Sequence, residues 1–315
     1  MKRRIAILGA GNMGASIAAS LPRDRYEVIC TAASEKTVNR LSEEFPDISF
    51  SRNNVAAVTE ADIVVLAIKP YVADEVIDEI KPYLKPGTTV ISVMATFSIA
   101  DLESKFMPAS ADDVANGPVA HNGSEEPEAP LGPHFDWEQM SPEKLGELID
   151  NVSESVVKPV VKDEKSFNIL KVIPNTAIRN GKSATFVAAS ARASKESVEE
   201  VLEIFNRSGK AFQIKEKDMN ACMVLASCGI AFFLRFIRAA AEGSVELGLR
   251  PAFATEVAAL TAAGAASLLE EGSHPEVEID KVTTAGGSTI KGLIAMETNG
   301  FTGAVIAALK ASAGK

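Results

Sequence analysis

Short apolar runs alternate with segments of helical pattern through the N-terminal two thirds of the chain. Residues 61–68 are almost continuously apolar, which is typical of a strand buried on both faces of a parallel sheet. Residues 88–93 have the same character after a Pro86-Gly87 turn, and residues 27–31 form a further candidate strand. Because alternating strands and helices mark βαβ units, we predict an α/β fold with a doubly wound sheet.

The pattern changes from about residue 216 onward. Strand signals disappear, and Ala- and Leu-rich helical segments run through Leu268 and resume after Gly287. We therefore predict two domains, an α/β domain over residues 1–213 and an all-helical domain over residues 214–315.

An acidic segment rich in Pro, Gly and Ser interrupts the first domain at about residues 107–165. It holds thirteen Asp and Glu residues against four Lys, so it carries most of the formal net charge of −10. This composition is typical of a solvated surface insertion. Its place after the Val90–Val93 strand also leaves open a lid or a partner-binding element beside a site.

Composition narrows the class of protein. The chain is 46% hydrophobic and 23% charged, as soluble globular proteins are. No apolar run approaches the roughly 20 residues of a membrane span, and the first strand begins too early for a signal peptide. The net negative charge argues against a nucleic-acid partner. Three cysteines without metal spacing indicate a reducing cytoplasm and no metal site.

The most specific motif is G-x-G-x-x-G, which follows an apolar run and precedes a helical pattern. In that context it is a dinucleotide-binding fingerprint. The first glycine allows a tight turn, the second lets the backbone approach a pyrophosphate, and the third lets the helix pack closely on the strand. Free N–H groups and the helix dipole then face the phosphates. The cofactor-binding residues predicted here are Gly9, Gly11, Asn12, Met13 and Gly14.

The end of the second strand decides between NAD and NADP. An acid there binds the ribose 2′-OH of NAD, whereas basic or hydroxyl groups suit the 2′-phosphate of NADP. Ser34 and Lys36 could hold that phosphate, while Glu35 keeps NAD open. We predict NADP, with NAD possible. Lys36 and Arg40 could equally form a solvated helix face.

Other polar groups follow predicted strands, at the edge where ligands bind in open α/β sheets. Ala67, Lys69 and Pro70 follow the buried strand, and Lys69 could neutralise a phosphate, orient the nicotinamide ribose, or be an ordinary loop lysine. Asn54 could contact the adenosine or cap a helix. Asn175 could reach the nicotinamide pocket or form a Pro-Asn turn.

A second glycine-rich stretch lies at residues 282–290, before a helix predicted to start near Lys291. Glycines beside hydroxyl residues form a backbone nest suited to an anion, and a carboxylate is the natural ligand because the phosphates are bound elsewhere. The alternative is a helix–helix turn with an N-cap. The candidate substrate-binding residues are Thr284, Gly286, Gly287, Ser288 and Thr289.

Taken in order, these motifs resemble the pyrroline-5-carboxylate reductase family, which makes proline from a cyclic imine with NADPH or NADH. The resemblance covers the whole chain except about residues 107–165. It rests on residues 9–14, 54, 67–70, 174–176 and 283–290, and extends to 226–232 and 293–304.

The resemblance implies a Rossmann domain followed by a helical domain that dimerises by interlocking helices, with dimers often assembled into rings. The imine would lie between the nicotinamide and the helical domain, with its carboxylate held by the glycine-rich loop at 283–289. Cys228 and Gly229 would lie beside it. Hydride would reach the imine carbon, and a hydroxyl or water would protonate the nitrogen.

The chain departs from the family pattern mainly in the substrate half. The family usually has S-G-S-G-P-A-Y over residues 226–232, so Cys228 replaces a hydroxyl and Ile230 replaces a proline. Three functions therefore stay open. They are a pyrroline-5-carboxylate reductase, a divergent reductase of another imine or keto acid, and a non-catalytic cofactor-binding paralogue that regulates through its acidic insertion.

Overall fold

A computed structural model describes residues 2–106, 166–270 and 272–314 of the chain. The predicted acidic insertion at 107–165 lies outside the described residues. Strands in the described part are β1 Arg3–Leu8, β2 Tyr26–Thr31, β3 Ser49–Ser51, β4 Ile63–Leu66, β5 Thr89–Ser92, β6 Asn168–Ile173, β7 Ser183–Ala189 and β8 Gly209–Gln213.

These strands form one sheet in the order β3-β2-β1-β4-β5-β6-β7-β8. The strands from β3 to β6 are parallel to their neighbours, β7 runs antiparallel to β6, and β8 is parallel to β7. The order 3-2-1-4-5-6 is that of the dinucleotide-binding doubly wound fold. The predicted fold class is therefore confirmed.

Helices connect the strands up to β8, and the described residues after β8 form helices. The first half contains α1 Asn12–Ser20, α2 Glu35–Glu44, α3 Asn54–Val58, α4 Ala73–Ile80, α5 Ile99–Phe106 and α6 Lys195–Asn206. After β8 come α7 Met219–Met223, a π turn at Val224–Cys228, α8 Gly229–Glu246, α9 Pro251–Ser267, α10 Pro275–Val282, α11 Ser288–Thr298 and α12 Phe301–Ser312. Among the described residues after Gln213 there is no strand, while the domain boundary near residue 214 stays a prediction.

The sheet is buried on both faces, as the continuous apolar runs predict. Alternate residues of β1 enter different cores. Ile5 and Ile7 pack with α1 and α6 on one face, and Ala6 and Leu8 pack with α3, α4 and α5 on the other. The carboxyl ends of β1, β2, β4 and β6 consequently meet at one edge, where the predicted cofactor residues follow the strands.

The helical half leaves large apolar side chains exposed in the single chain, including Phe233 (68%) and Leu260 (67%). The continuous helix Glu216–Glu246 is long and apolar enough to cross a membrane by length and composition alone. The uninterrupted apolar run within this helix ends at Arg235, so it falls short of the roughly 20 residues expected of a membrane span. Core helices of soluble proteins meet the same criterion, so the prediction of no membrane partner stays untested.

Candidate active site

The fingerprint turn brings β1, α1 and the end of β4 into close contact. Gly9 has a φ of +95°, a region that disfavours side chains, and a Cβ there would lie 2.5 Å from the carbonyl oxygen of Ala67. A Cβ on Gly14 would overlap the carbonyl oxygen of Gly9. Both glycines are therefore required by packing within the protein.

Gly11 differs from its two neighbours in the motif, because a Cβ built on it meets no atom within 4 Å. The first intrahelical bond of α1 runs from the N–H of Ala15 to the carbonyl of Gly11, at 2.9 Å. The N–H groups of Asn12, Met13 and Gly14 precede that bond and have no carbonyl partner within the helix. Open space beside free N–H groups fits a dinucleotide pyrophosphate.

The end of β2 is tied to the fingerprint turn. The carbonyl of Thr31 accepts hydrogen bonds from the N–H groups of Gly9 (3.1 Å) and Ala10 (2.7 Å). The Thr31 hydroxyl donates to Asn54 Oδ1 at 2.7 Å, and Asn54 Nδ2 donates to Glu79 at 2.9 Å. The carboxamide of Asn54 thus lies at the sheet edge where adenosine is expected.

The alternative role of Asn54 as a helix cap is wrong. Asn53 is the N-cap of α3, and its Oδ1 accepts from the N–H of Ala56 at 2.9 Å. The two adjacent asparagines are alike in sequence, but only one has the extended backbone that a capping residue needs.

Ser34 and Lys36 lie at the start of α2, and both are exposed. Ser34 is the N-cap, accepting from the N–H of Thr37 at 3.2 Å. Arg40, one turn further, pairs with Glu44 at 2.9 Å. The helix start therefore presents a hydroxyl and an ammonium group beside a positive dipole end, which suits a phosphate.

The end of β4 reaches the same edge. The N–H of Ala67 donates to the carbonyl of Leu8 at 2.8 Å, which extends the pairing of β4 with β1 by one residue. Lys69 is exposed and precedes a short 3₁₀ turn that begins at Pro70. The structure thus places Ala67 beside Gly9 and Gly14, with Lys69 and Pro70 following it along the chain, and a cofactor contact by these three residues stays a prediction.

Asn175 lies at the end of β6 and is only 5% exposed. Its Oδ1 accepts from the N–H of Ala177 at 3.0 Å, and its Nδ2 donates to the carbonyl of Ala226 at 3.1 Å. Both ends of the carboxamide are engaged by the protein, so the structure shows a link to the helical half rather than a group free to bind nicotinamide. A cofactor contact by Asn175 stays a prediction.

Cys228 and Gly229 belong to the junction that Asn175 contacts. Cys228 is the last residue of the π turn and is half-buried, and the N–H of Gly229 donates to the carbonyl of Val224, five residues earlier. Single π turns within helices occur frequently at functional sites. The turn is a structural feature that no sequence pattern indicated.

Lys171 is a buried charge that sequence analysis did not select. Its Nζ donates to the carbonyl of Ala95 at 3.0 Å and lies 3.8 Å from Glu216. Burial lowers the pKa of Lys171, and the nearby carboxylate of Glu216 opposes that shift. The available signal was a single lysine within the otherwise apolar run at residues 169–173. Lys171, Ala95 and Glu216 line a cleft of about 470 Å³.

The second glycine-rich loop forms a tight turn. Gly286 has a φ of +69°, and the N–H of Gly287 donates to the carbonyl of Thr284 at 2.9 Å. Helix α11 begins at Ser288, three residues earlier than predicted, and its N-cap Gly287 offers no side-chain acceptor to the first N–H groups. An exposed anion site is therefore available at this helix start.

The loop and the fingerprint are not joined within one chain. Thr284, Gly286, Ser288 and Thr289 are exposed, and no hydrogen bond between described residues links this loop to the fingerprint turn. Anion binding at each of the two turns therefore stays a prediction, and the described residues show no direct link between them.

Comparisons with known proteins match both halves of the chain. Residues 216–315 match the family model for pyrroline-5-carboxylate reductase dimerisation, and residues 4–96 match the model for NADP oxidoreductase coenzyme F420-dependent. A solved pyrroline carboxylate reductase of Plasmodium falciparum with NADP bound has the same fold, with a TM-score of 0.71 and 22% identity. That likeness covers 99% of this chain and 95% of the other.

Two relatives come from Dictyostelium discoideum. Pyrroline-5-carboxylate reductase 1 is 30% identical over 99% of this chain, which spans about half (49%) of that longer relative. Pyrroline-5-carboxylate reductase 2 is 28% identical over 99% of this chain and 92% of the relative. With its sheet order, its fingerprint and its helical half, the chain belongs to the pyrroline-5-carboxylate reductase family.

Proposed function

We propose that this chain reduces the C=N bond of pyrroline-5-carboxylate and so forms proline. The observation that carries the proposal is the presence, in different parts of the chain, of two backbone turns that each suit an anion and differ in their surroundings. The open Gly11 turn suits a dinucleotide, and the exposed Gly286-Gly287 turn suits a small carboxylate. The two sites lie in halves that match an oxidoreductase model and a reductase dimerisation model.

NADPH is the proposed cofactor, with NADH as the alternative. Strand β2 ends at Thr31 and is followed by two alanines, so no carboxylate stands at its tip to bind a ribose 2′-OH. Ser34 and Lys36 supply a hydroxyl and a positive charge at the adjacent helix start. This arrangement favours the additional phosphate of NADPH.

The protein's own groups bind and orient the reactants. N–H groups at the start of α1 hold the pyrophosphate, and Lys69 at the end of β4 provides positive charge nearby. N–H groups and hydroxyls of residues 284–289 hold the substrate carboxylate. When bound, the cofactor supplies a hydride to the imine carbon. One proton from a hydroxyl or water on the ring nitrogen completes the change from C=N to CH–NH, so positioning carries most of the rate.

We also propose that the active form is a homodimer, with larger rings as a further possibility. The helical half leaves apolar side chains exposed in a single chain and matches a dimerisation model. A second chain would cover this surface and supply the glycine-rich loop that one chain leaves apart from its fingerprint. All three cysteines are free, which supports the proposed cytoplasmic location.

A divergent reductase is the alternative, and Cys228 is the observation that favours it. A thiol is a weaker hydrogen-bond donor than the hydroxyl usual in the family, and leaving a substrate group poorly matched costs about 1–3 kcal/mol. A related imine or keto acid could suit this position better.

The test measures NADPH and NADH oxidation with pyrroline-5-carboxylate, with the reverse reaction on proline as a second direction. We expect reduction of pyrroline-5-carboxylate in the forward direction and oxidation of proline in the reverse direction. The kcat/KM for NADPH should be higher than that for NADH. Protein that binds NADPH but turns over neither cofactor with this imine would refute the proposal. Faster turnover of another imine or keto acid would favour the divergent reductase.

A further inference from the structure

Strand β6 carries three contacts to the helical half on one face. Lys171, Ile173 and Asn175 are spaced by two residues and so share a side of the strand and of its continuation. Lys171 faces Glu216, Ile173 shares an apolar cluster with Met219, and Asn175 donates to Ala226. We call Lys171, Ile173 and Asn175 the β6 seam, of which Asn175 lies just beyond the strand. Their partners across the junction are Glu216, Met219 and Ala226.

The Asn175 end of the seam is held on every side. Its backbone N–H donates to the hydroxyl of Ser183 at 3.1 Å, and its Oδ1 is fixed by the N–H of Ala177. The remaining Nδ2 group can therefore point in one direction, towards the carbonyl of Ala226. That carbonyl lies inside the π turn, where the usual i to i−4 pattern is broken.

The Lys171 end of the seam links three segments. Its Nζ binds the carbonyl of Ala95 in the loop after β5, and it faces the carboxylate of Glu216. The same Glu216 oxygen accepts from the N–H of Ile99 at 2.7 Å, at the start of α5. Removing Glu216 would leave the buried ammonium of Lys171 without a counter-charge, and removing Lys171 would release the loop at Ala95 while Glu216 keeps its bond to Ile99.

We propose that Asn175 and Lys171 are positioning residues. Acting through Ala226 and Glu216, they fix the π turn that carries Cys228 against the edge of the sheet where the fingerprint lies. The kinetic part of this inference rests on the proposed reductase function, while the structural part does not. A displacement of about 1 Å between reacting groups can lower the rate about 100-fold, so the seam sets catalytic geometry without touching substrate.

The chain offers a matched control for Asn175. Asn168 lies on the same strand, and its side chain also accepts from one backbone N–H (Ser194, 2.7 Å) and donates to one backbone carbonyl (Gly87, 3.1 Å). Its partners all lie in the first half of the chain. Asn175→Ala and Asn168→Ala therefore each remove one hydrogen bond accepted from a backbone N–H and one donated to a backbone carbonyl. Only Asn175→Ala is expected to release the π turn.

The experiment compares these two variants by hydrogen exchange and by steady-state kinetics. For Asn175→Ala we expect at least tenfold faster exchange at amides 224–230 and at least a tenfold loss of kcat/KM for the imine. The Kd for NADPH should stay within twofold of wild type, because the protein engages both ends of the Asn175 carboxamide; a larger rise would support the predicted cofactor contact and overturn the inference. Asn168→Ala should leave both the exchange at 224–230 and the kinetics within twofold. Unchanged exchange in Asn175→Ala, or equal losses in the two variants, would overturn the inference.

A second pair covers the case in which Asn175→Ala does not fold. Lys171→Met is compared with Lys85→Met, since Lys85 also binds a backbone carbonyl (Glu60, 3.0 Å) and a carboxylate (Asp62, 3.1 Å) within the first half. The same criteria apply. If wild-type protein turns over no pyrroline-5-carboxylate, the proposed function fails, and the exchange measurements still decide whether the seam holds the π turn.

Discussion

Three glycines of one motif have different physical roles in this protein. Gly9 and Gly14 are required because a Cβ would overlap or crowd backbone atoms of the protein itself. Gly11 has a φ of −78° and open space around it, so its lack of a side chain serves no internal contact. The three glycines are equivalent in the sequence motif, but in the structure Gly9 and Gly14 are needed for packing, whereas Gly11 leaves space for a ligand.

This separation predicts opposite outcomes for two substitutions. Gly14→Ala should lower the free energy of unfolding by about 1–3 kcal/mol, because α1 must move away from β1. Gly11→Ala should leave the free energy of unfolding unchanged or raise it slightly. The same substitution should raise the Kd for NADPH about tenfold, because the added methyl group blocks the approach of the pyrophosphate. Urea unfolding and NADPH titration measure the two effects. A Gly11→Ala protein with normal NADPH affinity would contradict the assignment.

The buried thiol of Cys30 should make the free energy of unfolding depend on pH in the alkaline range. Burial raises the pKa of this thiol to about 12, with a small opposing effect from Arg23. The folded thiol keeps its proton while the unfolded thiol, with a pKa near 9, loses it, so its stabilising contribution is full below pH 9 and disappears as pH rises towards 12. Between pH 9 and 10, wild type should lose about 1 kcal/mol more free energy of unfolding than Cys30→Ala.

Urea unfolding at fixed protein concentration checks the Cys30 prediction, since oligomers make stability depend on concentration. Parallel pH profiles for wild type and Cys30→Ala would show that the thiol is accessible to solvent in the folded state.

The sequence indicated candidate residues at strand ends but not what their side chains bind. Asn54 and Asn175 both lie at the sheet edge, yet one bonds Thr31 and Glu79 and the other bonds Ala226. Lys171 was missed because a lysine in an apolar strand indicates function only when its partners are known. Those partners, Ala95 and Glu216, are distant in sequence and come together only through the sheet order.

At the scale of elements, strands were easier to predict than helix starts and turns. The buried run at 61–68 contains β4, although the strand itself spans only Ile63–Leu66. Helix α11 begins at Ser288 because Gly287 takes the capping position directly after the turn from Thr284. The π turn had no sequence signal, and its Ala226 carbonyl accepts a hydrogen bond from Asn175, which is distant in sequence.

The start of α11 provides a prediction with a control on the same helix. A Cβ on Gly287 would overlap the Thr284 hydroxyl, whereas a Cβ on Gly292 meets nothing within 4 Å. Gly287→Ala should raise KM for the imine about tenfold or more and leave KM for NADPH within twofold. Gly292→Ala should change neither KM and should stabilise the helix by up to about 1 kcal/mol. Equal changes in both KM values for Gly287→Ala would contradict a substrate role for the loop.

At the scale of the whole molecule, the two halves differ in how they bury apolar surface. The first half has two cores on either side of its sheet. The helical half packs α8 against α9 but leaves side chains such as Leu234 more than half exposed. Exposed apolar surface of this kind commonly marks a protein–protein interface, and this region matches a dimerisation model.

We therefore predict that a charge on this surface prevents association. Wild-type protein should have at least twice the 33.3 kDa mass of one chain in light scattering, and Leu234→Glu should approach the mass of one chain. Tyr83→Glu, at a 50% exposed position in the first half, is the matched control and should keep the wild-type mass. A monomeric wild-type protein with full reductase activity would contradict the proposed dimeric active form.

The central claim is that one chain type binds a dinucleotide at Gly9–Gly14 and reduces a cyclic imine held by the helical half. Deuterium transfer tests it most directly. With NADPH deuterated at the transferred position of C4, pyrroline-5-carboxylate should yield proline one mass unit heavier, labelled at the former imine carbon. NADPH oxidation without labelled proline, or no proline from protein that binds NADPH, would contradict the account.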